Sequence, residues 1–120
     1  MKYKLITNNP TVHREYSQKL TVEYEDSPYV DVLIKARDYI HKGLQLYSHP
    51  LSGNIRSNEM PYKSILISGA PGEMDHNSIL LIEESINFCK NRPPAPENMP
   101  QDILEDFQFI DYTLISTSIK

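Results

Sequence analysis

The spacing of apolar residues along the chain predicts a succession of strands and helices, and two helices have the clearest pattern. The first begins at Ser27 and Pro28, since a serine can cap a helix and proline suits its first position. It ends before Gly43, because glycine readily adopts the left-handed conformation that stops a helix. The second helix covers about Asn77 to Asn91, with a broad apolar face, and Pro93 ends it.

Shorter apolar runs predict the strands, and the order of elements predicts the fold. The predicted strands cover residues 3–7, 20–25, 44–47, 62–68 and 107–116, with short helical segments at 11–16 and 101–106. This order predicts an α/β fold: a single layered domain over residues 1–120, with a mixed central sheet of about five strands and helices packed on its faces. The proline-rich residues 92–100 are predicted to be a connector within that domain.

Composition narrows the classes of partner. Sixteen acidic residues outweigh 12 basic ones, and no basic run appears, which argues against nucleic acid as the main partner. No segment approaches the roughly 20 apolar residues of a membrane span, and the N-terminus lacks the apolar core of a signal peptide. With Cys89 as the single cysteine, we expect a cytoplasmic protein without a membrane partner.

One polar segment, residues 49–63, carries the highest density of groups able to bind a ligand. The candidate ligand-binding residues in it are His49, Ser52, Gly53, Asn54, Arg56, Asn58, Glu59 and Lys63. The two cations can hold an anion, while the amides, hydroxyls and backbone supply hydrogen bonds. The alternative is purely structural, because any long connection needs polar residues to satisfy its backbone.

A second candidate is the turn Thr7, Asn8 and Asn9, which follows the first predicted strand. Turns at this place in open α/β sheets often contact ligands. The turn is similar to the opening of nucleoside triphosphate pyrophosphatases, but Pro10 follows where that family has a lysine. A turn that starts a helix explains these residues equally well. The histidines and carboxylates show no metal-ligand spacing, so we expect neither a metal nor a cofactor.

Several blocks of the sequence resemble the GrdX family. They are Tyr29–Gly43, His49–Gly53, Asn58–Glu59, Pro61–Ser64 and Asp106–Tyr112. The resemblance implies a small protein encoded beside glycine, sarcosine and betaine reductases in amino-acid-fermenting anaerobes. It implies no catalytic residue, because no activity is assigned to that family.

Three hypotheses for function follow. The leading one is a non-enzymatic accessory protein that binds a partner protein or a small anionic metabolite through residues 49–63. The alternative is a small enzyme with His49 as general acid or base, Glu59 orienting it and Arg56 or Lys63 holding an anionic substrate. The third is an oligomeric scaffold, since the sequence leaves a homo-oligomer open.

Overall fold

The architecture is described from a computed structural model, which covers residues 3–51 and 60–119. These residues form three strands and four helices, which confirms the predicted α/β class. In chain order the elements are β1 (Tyr3–Thr7), α1 (Pro10–Tyr16), β2 (Thr21–Tyr24), α2 (Tyr29–Ile40), β3 (Ser64–Ser68), α3 (His76–Lys90) and α4 (Gln101–Ser116).

The sheet is mixed, as predicted, and β1 lies at its centre in the order β2-β1-β3. Strand β2 pairs with β1 in parallel, and β3 pairs with it in the antiparallel direction. The register places Thr7, the last residue of β1, beside both Tyr24 at the end of β2 and Ser64 at the start of β3. The carboxyl ends of the two parallel strands therefore meet the entry of β3 at one edge.

Helices cover both faces of the sheet. Successive side chains of a strand point to opposite faces, so β1 contributes Ile6 to one core cluster and Leu5 to the other. On one face, the fully buried Ile6 packs in a cluster with side chains of α2 and α3. On the other face, Leu5 packs with Val12 of α1 and Ile115 of α4. Full burial of an aliphatic side chain contributes about 1.5–3 kcal/mol, so these two clusters hold the layers together.

The ends of α2 agree with the sequence pattern at one terminus and differ at the other. The residue before the helix is Pro28, which has extended backbone and makes no side-chain capping bond among the described residues. The predicted cap at Ser27 is wrong, because the helix begins one residue later, at Tyr29, and Pro28 takes the capping position. Gly43 follows the helix with φ +99°, the left-handed conformation expected of a stop.

The prediction of about five strands is wrong for the described residues, first because residues 107–116 are helical. They belong to α4, which runs without interruption from Gln101 to Ser116. Aromatic and β-branched residues there suggested a strand. A helical spacing is also present, since Phe107 and Ile110 lie three residues apart and both pack against the core.

The second missing strand is residues 44–47, which pair with β3 through a single antiparallel bridge between Leu46 and Ile67. Side-chain hydroxyls interrupt the ladder that a full strand needs. The backbone N–H of Leu46 donates to the Ser78 hydroxyl, and the N–H of Leu66 donates to the Ser48 hydroxyl. The ladder is therefore too short to form a strand.

No helix within residues 3–51 and 60–119 is long and apolar enough to cross a membrane.

Candidate functional site

The site lies at the edge of the sheet where β1 and β2 end. From this edge the chain enters α1 after β1 and α2 after β2, and these two helices pack on opposite faces of the sheet. In open α/β sheets, ligands bind in the crevice outside the carboxyl ends of strands whose connections leave to opposite sides. The topology therefore marks this edge as the place to look for a ligand site.

Asn8 joins the three segments that surround this edge. Its side-chain amide donates to the carbonyl oxygens of Ser27 (2.7 Å) and Pro61 (2.9 Å). Its side-chain oxygen accepts from the backbone N–H of Lys63 at 2.8 Å. The residue is 2% exposed, so these bonds are shielded from water. Asn8 thereby fixes the start of α2 and the approach to β3 relative to the end of β1.

A buried carboxylate, Asp111, joins α4 to the end of β1 and the start of β3. It accepts hydrogen bonds from the side-chain amide of Asn9 (3.0 Å), the backbone N–H of Ser64 (3.1 Å) and the hydroxyl of Ser64 (2.7 Å). The hydroxyls of Thr7 and Ser64 lie 2.7 Å apart and share one hydrogen bond. Burying a carboxylate is costly unless such donors surround it, so this network compensates for the lost hydration.

Lys63, the residue before Ser64, is also buried, with 5% of its surface exposed. Burial lowers the pKa of its amine to about 8, while electrostatic interactions with Asp111 and Cys89 act in the opposite direction. Burial also raises the pKa of Asp111, against the hydrogen bonds from Asn9 and Ser64 and the charge of Lys63. With a pKa about 8, Lys63 remains mostly protonated at neutral pH and brings a positive charge to this edge.

An outer layer of hydrogen bonds links α4 to the same edge. The side-chain amide of Gln108 donates to the Tyr62 hydroxyl at 2.9 Å. Its side-chain oxygen accepts from the Thr11 hydroxyl, also at 2.9 Å. The Gln108 carbonyl accepts from the Asn9 amide at 2.9 Å. The hydrogen bond from Gln108 of α4 therefore restricts the orientation of the Tyr62 side chain.

A cleft of about 610 Å³, which we call the carboxyl-end cleft, opens at this edge. Among the described residues it is lined by Asn8 after β1, residues 26–30 at the start of α2, residues 61–62 before β3, and residues 89–90 and 92–97 at the end of α3 and in the proline-rich connector. A cleft of this volume matches the size of small-molecule sites.

The lining of the carboxyl-end cleft can bind a charged small molecule. Lys90 and Arg92 supply cations, while Asp26 and Glu97 supply carboxylates. The guanidinium of Arg92 stacks over the Phe88 ring, 3.6 Å from its centroid, which restricts the orientation of the cation. The lining can therefore bind an anionic group and, beside it, a hydrogen-bond donor or cation.

Most of the candidates predicted in residues 49–63 fall outside the described part of the chain. These are Ser52, Gly53, Asn54, Arg56, Asn58 and Glu59. His49 is exposed, its ring Nδ1 accepts from the Leu51 N–H at 3.0 Å, and it is not among the described residues that line the cleft. Lys63 is buried and is not among the described residues that line the cleft.

The turn of Thr7, Asn8 and Asn9, the second candidate of the sequence, lies at the centre of the described site. All three residues are buried, Asn8 lines the cleft, and Asn9 also caps α1 by accepting the Thr11 N–H at 3.0 Å. Thr7 and Asn9 are bonded within the network and have a structural role there.

Sequence reasoning missed Asp111, Ser64 and the contribution of the proline-rich connector. A signal existed for Asp111, because it lies four residues from both Phe107 and Ile115 on a helix. A carboxylate on the apolar face of a helix needs buried donors opposite it. The strand prediction for residues 107–116 concealed this position. The connector gave no signal, because its proline content indicates stiffness alone.

No group of three or more His, Cys, Asp or Glu residues within the described ranges is arranged to hold a metal ion.

None of the curated proteins and none of the solved structures matches the chain. The model of the GrdX family, described as GrdX-like protein, matches residues 4–120 and so covers nearly the whole sequence. The chain belongs to the GrdX-like family.

Proposed function

We propose that this GrdX-like protein is a non-enzymatic accessory protein that binds a small anionic metabolite in the carboxyl-end cleft. The observation that carries the proposal is the position of the cleft. It lies outside the carboxyl ends of β1 and β2, where connections leave to opposite faces of the sheet.

The construction of the cleft supports a binding role. Asn8 holds two of its walls through buried hydrogen bonds to Ser27 and Pro61, so the cavity exists before a ligand enters. A preformed site spares the ligand the cost of ordering the protein. Lys90 and Arg92 in the lining can hold the anionic group of a ligand, and Asp26 and Glu97 can hold a donor or cation beside it. The charge of Lys63, which interacts electrostatically with Cys89 of the lining, adds to the attraction for an anion.

Two groups that could act as acid or base, His49 and Asp111, lie away from the lining of the cleft. His49, the general acid or base of the alternative hypothesis, is not among the described residues of the lining. Asp111 is enclosed by donors from Asn9 and Ser64, which stabilise its carboxylate but leave it 1% exposed. Neither group is among the described residues that would contact a ligand in the cleft, which favours a binding role.

The family suggests which ligands to test first. We propose that the protein serves a glycine reductase system, so the panel contains glycine, sarcosine, betaine, acetate and inorganic phosphate. Each is titrated into the purified protein, and binding is followed by isothermal calorimetry and by amide chemical shifts. We expect at least one member to bind and to shift the amides of residues 26–30 and 89–97.

A pair of charge substitutions tests the site itself. Replacing Lys90→Gln together with Arg92→Gln is expected to weaken binding at least about tenfold, the effect of removing one charge-assisted contact. The matched control is Arg14→Gln with Lys42→Gln, which removes the same two charges at exposed positions outside the lining. Absence of binding across the panel, or equal affinity in both double variants, would overturn the proposal.

A further inference from the structure

The outer face of α4 carries a broad apolar surface. Phe109 is 65% exposed, Leu114 41% and Ile103 39%. Helical geometry places Ile103 and Leu114 in one row and Phe109 in a second row about a third of a turn away. Exposed apolar side chains that lie near one another, rather than singly, mark interaction surfaces.

The same face is strongly acidic. Asp102, Glu105 and Asp106 are exposed. Glu105 and Asp106 lie four and three residues before Phe109, one helical turn away, and Asp102 lies on the same side one turn further. Residues 101–116 contain no lysine, arginine or histidine. In the described part of the chain, none of these three carboxylates forms an ion pair.

We infer that the outer face of α4 is a docking surface for a basic amphipathic segment of another protein. The exposed apolar residues call for apolar anchors on the partner, and the surrounding carboxylates call for lysine or arginine at its rim. Amphipathic helices commonly bind a partner protein through apolar side chains at helical spacing, with charged residues beside them.

The charge of the face excludes the other kinds of occupant. A second copy of α4 would bring its own carboxylates against Asp102, Glu105 and Asp106, and like charges oppose such an interface. Nucleic acid and anionic membranes are repelled for the same reason. The basic protein segment is the occupant that complements both the apolar and the charged groups.

This surface is independent of the carboxyl-end cleft, since none of its residues lines that cavity among the described residues. Loss of small-molecule binding would leave the docking surface intact, and the reverse also holds. The two proposals can therefore fail separately.

The test uses a phage-displayed library of random peptides about as long as α4, selected on the immobilised full chain. We expect the enriched peptides to be basic, with apolar residues at helical spacing. One enriched peptide is then labelled, and its affinity is measured by fluorescence anisotropy at several salt concentrations. The affinity is expected to fall as salt rises, because the carboxylates are exposed to solvent.

Three variants decide where the peptide binds. Phe109→Ser, and separately the combination Asp102→Asn, Glu105→Gln and Asp106→Asn, are each expected to weaken binding at least about tenfold. Leu80→Ser on α3 is the matched control, because Leu80 is a comparably exposed apolar side chain at 60%. It is expected to change the affinity less than about twofold.

The contrary outcomes are equally clear. Enrichment of neutral or acidic peptides, no enrichment at all, or affinities unchanged by the α4 substitutions would each overturn the inference. A dimer detected by light scattering and dissociated by Phe109→Ser would also overturn it, because the occupant would then be a second copy. Circular dichroism of every variant checks that the exposed substitutions leave the fold intact.

Discussion

Lys63 and Asp111 show how burial and charge oppose each other at the level of single residues. Both groups are almost completely removed from water. Burial lowers the pKa of Lys63 and raises the pKa of Asp111, which in each case favours the neutral form. The hydrogen bonds from Asn9 and Ser64 keep the carboxylate satisfied. A buried charge without such donors or an opposite charge nearby would not be compensated for its lost hydration.

The lowered pKa of Lys63 predicts how stability depends on pH. The amine of the folded chain loses its proton with a pKa about 8, against 10.5 for the ordinary value. Between these values the unfolded chain binds more protons, so the free energy of unfolding rises with pH through this window. Relative to a Lys63→Met variant, the wild-type protein should gain up to about 3 kcal/mol from pH 8 to 10.5.

Urea denaturation of both proteins across that range measures the difference. Taking the difference cancels the titration of groups common to both chains. A constant difference would mean that the amine of Lys63 titrates alike in the folded and unfolded states, which contradicts its burial.

At the level of elements, the turn after α2 depends on one glycine. Gly43 has φ +99°, and its carbonyl accepts the N–H of Gly72 at 2.9 Å. A Cβ added at Gly43 would lie 2.4 Å from the carbonyl oxygen of Gly72, so backbone would have to move. This contact fixes the loop after β3 against the end of α2.

Replacing Gly43→Ala should destabilise the protein by about 1–3 kcal/mol, because the left-handed backbone and the clash with Gly72 both oppose a side chain there. Gly72→Ala is the control, because its added Cβ would meet the Gly43 oxygen at an ordinary 3.9 Å. Thermal unfolding of both variants measures the difference. Equal melting temperatures for the two would show that the turn tolerates a side chain.

The elements that were predictable from sequence are those whose local signals agree. Strand β1, helix α1 and helices α2 and α3 combine an apolar period with clear starts or stops, and all of them were found. Helix α4 has both periods, since Phe107 and Phe109 alternate while Phe107 and Ile110 follow a helical spacing. Tertiary packing against β3 decided between them, and local propensity could not.

The candidate site was predictable only where it followed from the position of a strand end. Asn8 and Asn9 follow β1 directly, so a general rule for open sheets pointed to them. Asp111 reaches the site from a helix about a hundred residues away in sequence, and no local pattern reports such a contact. The cleft depends on the same long-range arrangement.

For the whole molecule, Asn8 is the residue that joins the layers at the functional edge. It bonds to the segment before α2 and to the segment before β3, and it is itself the continuation of β1. Its removal would leave the carbonyls of Ser27 and Pro61 and the N–H of Lys63 without these partners. The effect should reach both stability and ligand binding.

Asn8→Ala is expected to cost about 3 kcal/mol of unfolding free energy, because three buried groups lose their hydrogen-bond partner. Asn91→Ala is the matched control, since Asn91 is exposed and its side chain bonds only within α3 among the described residues. That substitution should change stability by less than about 0.5 kcal/mol. Urea denaturation followed by circular dichroism distinguishes the two, and equal costs would contradict the role given to Asn8.

The hydrogen bond between Asn9 and Asp111 cannot form until the end of the chain has been synthesised. The two residues are separated by 102 positions. At a translation speed of about 5–20 residues per second, Asn9 is synthesised roughly 5–20 s before its partner. Until α4 is made, the cluster of Leu5, Val12 and Leu66 lacks Ile115, so part of one face of the sheet stays uncovered. A ribosome-bound chain halted before α4 should therefore recruit chaperones that a completed chain does not.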